Sequence, residues 1–367
     1  MGVFAYYDAE NDTTVYYVVP DLGSNNDGST IVSESESTTS RITIQSDELP
    51  GYFTTHYGRQ QPAGDNLAKF FPSDNVRRYV LRYIVTRSVF GGDYAGPVHE
   101  ALAPVEGRVP CALELGTRTG TWVQHMATEF PHVQFLSLDV VPMIPHAPRP
   151  NIEFQVYNFA EGLLLDDHSQ DAVFMNVVME VVTDYPALLR EVHRVLRPGG
   201  FLHISDHCPH MWDSEDPSVA AHRTNPASCH LVDLLREQAS TVGIDPYTFE
   251  KLPGWLAPDS VLWDPETNKC AGFERIESVV QTYPSYPHDG FPCTSLVDAR
   301  IIPFVRYLTV TSTQDMFGVL RDRGVDQKQA NRLIEGMLEE LKRPESCAHL
   351  KLYRLYAFKR PCEVNVI

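Results

Sequence analysis

Two glycines and two acids stand at the ends of neighbouring apolar runs, in an order typical of a nucleotide-like cofactor site. Glu114 lies within the run CALEL, Gly116 and Gly120 follow in GTRTG, and Asp139 closes the next run, VQFLSLD. Glycine lets the backbone adopt unusual dihedrals and approach a ligand closely. The segment after Gly120 can begin a helix whose free N–H groups favour a negative group. A carboxylate at Asp139 can accept two ribose hydroxyls, so the pattern predicts a cofactor site.

The spacing also separates two classes of cofactor. The glycines form G-x-x-x-G and lack the third glycine of a dinucleotide fingerprint. A Glu114 carboxylate before the first glycine would repel a pyrophosphate and suits an amino group, as in S-adenosylmethionine. Arg118 stands between the glycines, where a small residue is expected. Its side chain has three alternatives: it points to solvent, grips a cofactor carboxylate or fills the pocket.

The elements that must position these residues alternate along the chain. Apolar runs predict strands in PCALELG, VQFLSLD, IEFQVYN, DAVFMNVVM and FLHISD. Helical spacing predicts TWVQHMATEF, YPALLREVHRVL with Asp184 as its cap, and an earlier covering helix capped by Asp74. Alternation of this kind predicts a parallel sheet with helices on both faces. Ligands bind such a sheet at the carboxyl ends of its strands.

Composition divides the chain into five predicted segments. Residues 1–50 are acidic and rich in Ser and Thr, which favours a flexible extension. Residues 51–110 predict a helical cover, 111–206 the cofactor-binding core, and 207–300 an aromatic and Pro-rich lid or substrate region. Residues 301–367 predict two helices, the second capped by an aspartate, and a closing strand, HLKLYRLYAFKR.

Net charge, cysteine usage and motif spacing disfavour several kinds of partner, compartment and ligand. The 48 acids and 30 bases give a net charge of −18, which disfavours nucleic acids and anionic membrane surfaces. The seven cysteines are scattered without a CxxC pair, which favours free thiols in a reducing compartment. No signal peptide or membrane span is recognisable, so we expect a cytoplasmic protein, with the nucleus as the alternative. The segment HCPH and the acids near it fit no standard zinc spacing, and no metal is expected.

Four segments carry a resemblance to a known family. LELGTRTGTW, FQVYNFAEGL, DYPALLREVHRVLRPGG and VFGGDYAGPV resemble the fungal LaeA-like branch of class I S-adenosylmethionine-dependent methyltransferases. The resemblance runs from about Tyr57 to Arg360. It implies an α/β fold with a Rossmann-like, seven-stranded, mostly parallel sheet. An N-terminal extension and a lid-like insertion after the fifth strand are added to that sheet.

The resemblance also implies which residues contact S-adenosylmethionine. The expected cofactor-binding residues are Tyr57, Glu114, Gly116, Arg118, Gly120, Asp139, Asn158, Phe159 and Asn176. Asn158 replaces the acid that often meets the adenine amino group, with Phe159 as its neighbour. Asn176 is expected below the sulfonium, and Tyr57 is expected to close over the cofactor.

Methyl transfer requires mainly that the acceptor be aligned and water excluded. A hydroxyl acceptor also needs a base, and histidine is the usual choice. The end of the fifth predicted strand carries His203, His207 and His210. We predict His207 as the base, with an ordinary surface histidine as the alternative, and His203 as a structural residue.

Two functions remain open from the sequence. The first is methylation of a small molecule, as in fungal secondary metabolism, with Trp212, Trp255 and Trp263 forming a flat apolar acceptor pocket or the core of a lid. The second is a regulatory or scaffold protein that keeps the methyltransferase fold and acts through protein partners, because fold alone does not determine function.

Overall fold

Eleven strands and nine α-helices lie in the part of the chain that the computed structural model describes, residues 2–8, 13–19, 49–64, 67–263 and 271–361. The strands are β1 (Gly2–Asp8), β2 (Thr13–Val19), β3 (Phe53–His56), β4 (Arg59–Pro62), β5 (Cys111–Leu115), β6 (Gln134–Asp139), β7 (Ile152–Val156), β8 (Gln170–Asn176), β9 (Leu196–Trp212), β10 (Phe273–Pro284) and β11 (His349–Lys359). The helices are α1 (Val76–Phe90), α2 (Val98–Ala101), α3 (Thr121–Glu129), α4 (Tyr185–Val195), α5 (Pro226–Thr241), α6 (Thr248–Leu256), α7 (Ile302–Asp315), α8 (Phe317–Asp322) and α9 (Gln327–Leu341).

The central sheet has seven strands in the order β10-β11-β9-β8-β5-β6-β7. Strands β5 to β9 are parallel, whereas β11 pairs antiparallel with both β9 and β10. The predicted fold class, a mostly parallel Rossmann-like sheet, is therefore confirmed. The strand order reverses direction between β5 and β8, and a crevice for a ligand forms at such a point.

Successive residues of the central strands face opposite sides of the sheet. Leu113 and Val173 pack in one buried cluster with apolar residues of α4, and Ala112 and Phe174 pack in another with residues of α3. All four side chains are fully buried. Because each strand is covered on both faces, its sequence is almost continuously apolar, as expected for a parallel sheet.

Side-chain caps fix where several helices begin. Asp184 and Asp326 cap α4 and α9 as predicted, each accepting the backbone N–H three residues later. The predicted cap of α1 is wrong: Asn75 caps this helix. The carboxylate of Asp74 is instead held by the guanidinium of Arg59.

The segments differ in three places from those expected. β9 continues past the expected boundary at residue 206, and β10, within the expected lid region 207–300, is an edge strand of the sheet. The first of the two helices expected after residue 300 is divided into α7 and α8. In the expected extension β1 and β2 pair antiparallel, while residues 20–48 lie outside the described part of the chain.

A buried ion pair joins the N-terminal cover to the C-terminal helices. Arg78 of α1 is fully buried and donates to the carboxylate of Asp315 at the end of α7. Arg59 donates to the other carboxylate oxygen at 2.6 Å. Removing one member of a buried ion pair leaves an uncompensated charge in the interior, which is strongly destabilising.

We predict that Asp315→Asn lowers the free energy of unfolding by about 3–5 kcal/mol, because it leaves Arg78 buried without a counter-charge. Urea unfolding at pH 7 measures this. The control is Asp298→Asn, which removes an exposed ion pair with Arg300 and should leave the unfolding midpoint unchanged. Equal midpoints for the two variants would contradict the structural role of Asp315.

Candidate functional site

The loop after β5 contains three residues in the left-handed region. The φ angles are 91° at Gly116, 51° at Arg118 and 67° at Gly120. A Cβ on Gly116 would lie 2.2 Å from the carbonyl oxygen of Asn176, and one on Gly120 would lie 2.6 Å from the ring of His146. Both glycines are therefore required by the loop itself. Arg118 occupies a conformation that favours glycine, which explains why a small residue is expected there.

Asp139, at the end of β6, holds this loop in place. Its Oδ2 accepts the backbone N–H of Arg118 at 2.6 Å, and its Oδ1 accepts that of Val140 at 2.7 Å. The residue is only 4% exposed. Asp139, the acid predicted to bind a ribose, therefore anchors the glycine loop to the end of β6.

The Arg118 side chain extends along the carboxyl edge of the sheet from β5 towards β8. Its Nη2 donates to the carbonyl oxygen of Val177 at 3.1 Å and lies 3.6 Å from Glu180, while Nη1 lies 3.8 Å from Asp139. Glu180 also accepts from Arg82 of α1 at 2.7 Å. Of the three alternatives for Arg118, a solvent-exposed side chain is wrong, because the residue is 8% exposed.

Arg82, Arg118, Asp139 and Glu180 form a charge cluster in which two guanidinium groups balance two carboxylates. Not all polar atoms of this cluster have a hydrogen-bond partner. Burial alone would raise the pKa of Glu180, yet Arg82 and Arg118 lower it to about 2. Glu180 is therefore a carboxylate at every physiological pH. Nε of Arg118 and Oε2 of Glu180 are buried and have no hydrogen-bond partner among the described residues. The site therefore has one unused donor on Arg118 and one unused acceptor on Glu180, two residues whose charged groups approach to 3.6 Å.

Glu114 lies deeper, between the ends of β5, β6 and β8. Ser137 donates its hydroxyl to Oε2 at 2.5 Å, and Asn176 donates its amide to Oε1 at 3.0 Å. Burial raises the pKa of Glu114 to about 8 against the opposing effect of these two hydrogen bonds. The predicted carboxylate is therefore mostly a neutral acid at pH 7. Asn176, predicted below the sulfonium, lies beside Glu114 and orients it.

The two residues predicted near the adenine follow β7. Asn158 begins a short 3-10 helix, because its side-chain oxygen accepts the N–H of Ala160 at 3.2 Å and its amide donates to Glu161 at 2.8 Å. Phe159 is buried in the main apolar cluster. Their contacts with an adenine stay a prediction.

Tyr57 lies at the turn between β3 and β4, with a φ angle of 47°. Its ring packs edge-on against Phe317 of α8 at a centroid distance of 6.3 Å, and the guanidinium of Arg321 lies over it. These contacts are with the C-terminal helices rather than with the glycine loop. The prediction that Tyr57 closes over a cofactor is not supported by this placement.

A cavity with a volume of about 180 Å³ lies beside the carboxyl ends of β8 and β9. One water needs roughly 10–15 Å³ by this measure, so the cavity has room for a small organic molecule. Its wall comes from α1, α5, α7, β9 and β11 and is mostly apolar, with Phe70, Phe71 and Leu308 among its members. Arg82 and Glu180 also line it, so the charge cluster lies between the glycine loop and this cavity.

His207 lines the same cavity next to an acid that the sequence analysis did not assign to the site. Its Nδ1 lies 3.1 Å from Oδ1 of Asp206. Asp206 is 2% exposed and accepts the backbone N–H groups of Met179 and His207. A carboxylate at Nδ1 directs the lone pair of Nε2 outward, which is the arrangement a general base needs. His203, predicted as structural, is fully buried and accepts the N–H of Ala95.

The three tryptophans do not form the expected acceptor pocket. None of Trp212, Trp255 and Trp263 lines the cavity. Trp255 stacks with Tyr185, and Trp263 packs against His193. The other expectation, that these rings are core residues of the region, agrees with the placement of Trp263, which is buried, and of Trp255, which packs against the main apolar cluster. Trp212 is half-buried at the end of β9.

The sequence analysis missed Arg82, Glu180 and Asp206 as members of the site. Glu180 carries a weak signal, since it is the one acid in the apolar run NVVMEVV that follows β8. Asp206 directly precedes His207. Arg82 has no such signal, because only the packing of α1 across the sheet edge brings it to Glu180.

Comparison with known proteins identifies the family of this fold. Residues 57–230 match the family model described as a methyltransferase domain. This segment is a methyltransferase domain. The chain is 26% identical over 223 residues to the methyltransferase pytC of Aspergillus terreus, a match that covers 59% of this chain and 63% of that protein. It is 29% identical over 127 residues to the secondary metabolism regulator laeA of Coprinopsis cinerea, covering 34% and 31%.

The predicted relation to fungal LaeA-like methyltransferases is confirmed by these matches. The match spans less than two thirds of the length of pytC. Among solved structures, the chain is similar to a Haemonchus contortus phosphoethanolamine N-methyltransferase 2 in complex with S-adenosyl-L-methionine, with a TM-score of 0.39 and 15% identity over 83% of this chain and 62% of that one. Among the described helices, none is both long enough and apolar enough to cross a membrane.

We predict that Glu114→Gln stabilises the protein increasingly as the pH rises. The unfolded glutamate loses its proton near pH 4.5, whereas the folded one keeps it until about pH 8. The free energy of unfolding of the wild type therefore falls relative to the variant between these pH values. The full difference is at most about 5 kcal/mol, from the size of the pKa change.

Urea unfolding of both proteins at pH 5, 6.5 and 8 measures this difference. The matched control is Glu335→Gln, an exposed residue of α9, for which the difference should not change with pH. A Glu114→Gln difference that is equally independent of pH would contradict a raised pKa.

Proposed function

We propose that the protein transfers the methyl group of S-adenosylmethionine to a hydroxyl group of a small apolar molecule. The observation that carries this proposal is the pair His207 and Asp206 in the wall of an apolar cavity that adjoins the methyltransferase glycine loop. S-adenosylmethionine is the cofactor of this family and supplies a methyl group already activated by a sulfonium.

The residues present fit this cofactor. Its amino-acid end carries one ammonium and one carboxylate, and the site offers the unused Oε2 of Glu180 to the first and the unused Nε of Arg118 to the second. Asp139 retains further lone pairs for the ribose hydroxyls, since each of its oxygens accepts one N–H. We therefore assign Arg118 to the carboxylate, Glu180 to the ammonium and Asp139 to the ribose.

His207 would take the proton of the acceptor hydroxyl on Nε2. Asp206 holds the opposite ring nitrogen and stabilises the protonated ring that results. The buried carboxylate of Glu180 remains ionised throughout, because its pKa lies near 2. Phe70, Phe71 and the apolar faces of α5 and α7 would exclude water from the acceptor.

The cavity wall and the net charge support a mostly apolar small molecule as the acceptor. A net charge of −18 disfavours a nucleic acid, and the lining is mostly apolar. Among its polar members, Arg236 has buried Nε and Nη2 groups without a hydrogen-bond partner among the described residues. Relatives named as fungal methyltransferases, among them pytC and the Strobilurus tenacellus str3, support a role in fungal secondary metabolism.

A second candidate function is regulation of secondary metabolism through a protein partner. It is supported by the relatives named as regulators, laeA and LAE1. It is also supported by the ion pairs of Arg118 with Asp139 and Glu180, which balance the charges of the site without a cofactor. The chain would then work in the cytoplasm or the nucleus.

We predict that Arg118→Gly weakens binding of S-adenosylhomocysteine by about tenfold or more, because a hydrogen bond to a charged group contributes about 1.5–3 kcal/mol. Glycine suits the φ angle of 51° at this position, so the variant should remain folded. Isothermal titration calorimetry measures the affinity. Thr119→Gly, which loosens the same loop but keeps the guanidinium, should bind normally.

Unchanged or tighter binding by Arg118→Gly would show that the side chain obstructs the site instead of holding the cofactor. No binding of S-adenosylhomocysteine or S-adenosylmethionine by the folded wild type would favour the regulatory function.

We also predict that His207→Gln reduces methyl transfer to a hydroxyl by about a hundredfold, the usual contribution of a general base. Release of S-adenosylhomocysteine is followed with simple phenols and aliphatic alcohols as acceptor probes. Affinity for S-adenosylhomocysteine should not change. His210→Gln, which alters another histidine of the cavity wall, is the matched control. Equal turnover of the two variants would contradict the assignment of His207.

A further inference from the structure

Three side chains of residue types that bind metal ions converge outside the proposed cofactor site. His288 and Cys293 lie between β10 and α7, and Cys347 lies just before β11. One ligand atom of each lies within 4.8 Å of those of the other two. The three residues are only 8–9% exposed. The cysteines are far apart in the sequence, so no motif spacing revealed them.

The imidazole is oriented for coordination. Nε2 of His288 donates to the carbonyl oxygen of Leu341 at 2.9 Å, and Nδ1 therefore faces Sγ of Cys293, at 3.9 Å. Metal-binding histidines usually donate their other N–H in this way, which fixes the tautomer and the ring. Two ligands of one zinc ion, with bonds of about 2.0 and 2.3 Å, lie about 3.6 Å apart. The observed separation needs only a small adjustment.

The loop around Cys293 also favours metal binding by its sulfur. The backbone N–H of His288 donates to Sγ of Cys293 at 3.2 Å, a bond that a thiolate strengthens. Arg306 fixes the same loop by donating to the carbonyl oxygen of Pro287 at 2.7 Å and to the carboxylate of Asp289. Both cysteines are free thiols.

We propose that His288, Cys293 and Cys347 bind one zinc ion, with water in the fourth position. Two thiolates and one imidazole suit zinc better than magnesium or calcium, which prefer oxygen ligands. Binding releases the two thiol protons to solvent, so no oxidant or reductant is needed. This proposal departs from the expectation, drawn from sequence spacing, that the protein holds no metal.

The zinc site would brace the wall of the acceptor cavity. It connects the end of β10, the end of α9 and the start of β11, and each of these elements contributes to the cavity, through Tyr283, Met337 and Leu350 respectively. Because the ligands come from distant parts of the chain, the ion would hold these elements together. The proposal does not depend on methyl transfer.

The test uses the full chain, purified under reducing conditions from zinc-supplemented medium. We expect one zinc per chain by elemental mass spectrometry. Cobalt(II) added to the metal-free protein should give the thiolate-to-cobalt charge-transfer absorption of a Cys-ligated ion. Loss of one ligand should weaken zinc binding by at least about a hundredfold, because even second-shell changes cost 10–100-fold.

The variants Cys347→Ser and His288→Ala should therefore lose the zinc, and Cys111→Ser, a cysteine at the start of β5, should retain it. Zinc-free wild type that shows no cobalt absorption overturns the proposal, even if the ligand variants fail to fold. Zinc retained equally by Cys347→Ser also overturns it. A wild-type mass lower by two hydrogens, with Cys293 and Cys347 linked, would identify the pair as a disulfide instead.

Discussion

The carboxylate of Asp139 is the constraint on which the rest of the site depends. It accepts the backbone N–H of Arg118 and so ties the glycine loop to the end of β6. In the anchored loop, every second residue from Gly116 to Gly120 has a positive φ angle. The Arg118 side chain is thereby directed along the sheet edge. Backbone hydrogen bonds add to this anchor: the N–H groups of Gly116 and Thr117 both donate to the carbonyl oxygen of Leu138 in β6.

That direction brings the guanidinium of Arg118 to Glu180, which also accepts a hydrogen bond from Arg82. Glu180 is buried between Arg82 and Arg118, so its ionised form is retained at a depth where burial alone would neutralise it. Glu114, equally buried but without a cation beside it, has its pKa raised instead. The contrast between these two acids follows from their neighbours: desolvation acts on both, and only Glu180 has guanidinium groups within reach.

The charge cluster lies between the proposed cofactor site and the proposed acceptor cavity. One side of it faces the glycine loop through Asp139, and the other side forms part of the apolar cavity with Asp206 and His207. A cofactor held by Arg118 and Glu180 would therefore lie next to an acceptor in the cavity. Much of that cavity comes from α5, α7 and β11, late elements of the chain that fold back over the carboxyl edge of the sheet.

Local patterns in the sequence determined the parallel core, the glycine loop and the cap residues Asp184 and Asp326, because strand periodicity, left-handed turns and N-caps each depend on residues close in the chain. They also gave the family and the acid at the end of β6. Only the tertiary structure decided where Arg118 points, that Glu180 and Arg82 meet it, and that β10 belongs to the sheet. The convergence of His288, Cys293 and Cys347 was decided in the same way. These features join residues that are distant in the sequence, and their geometry follows from the packing of whole helices and strands, which no local spacing encodes.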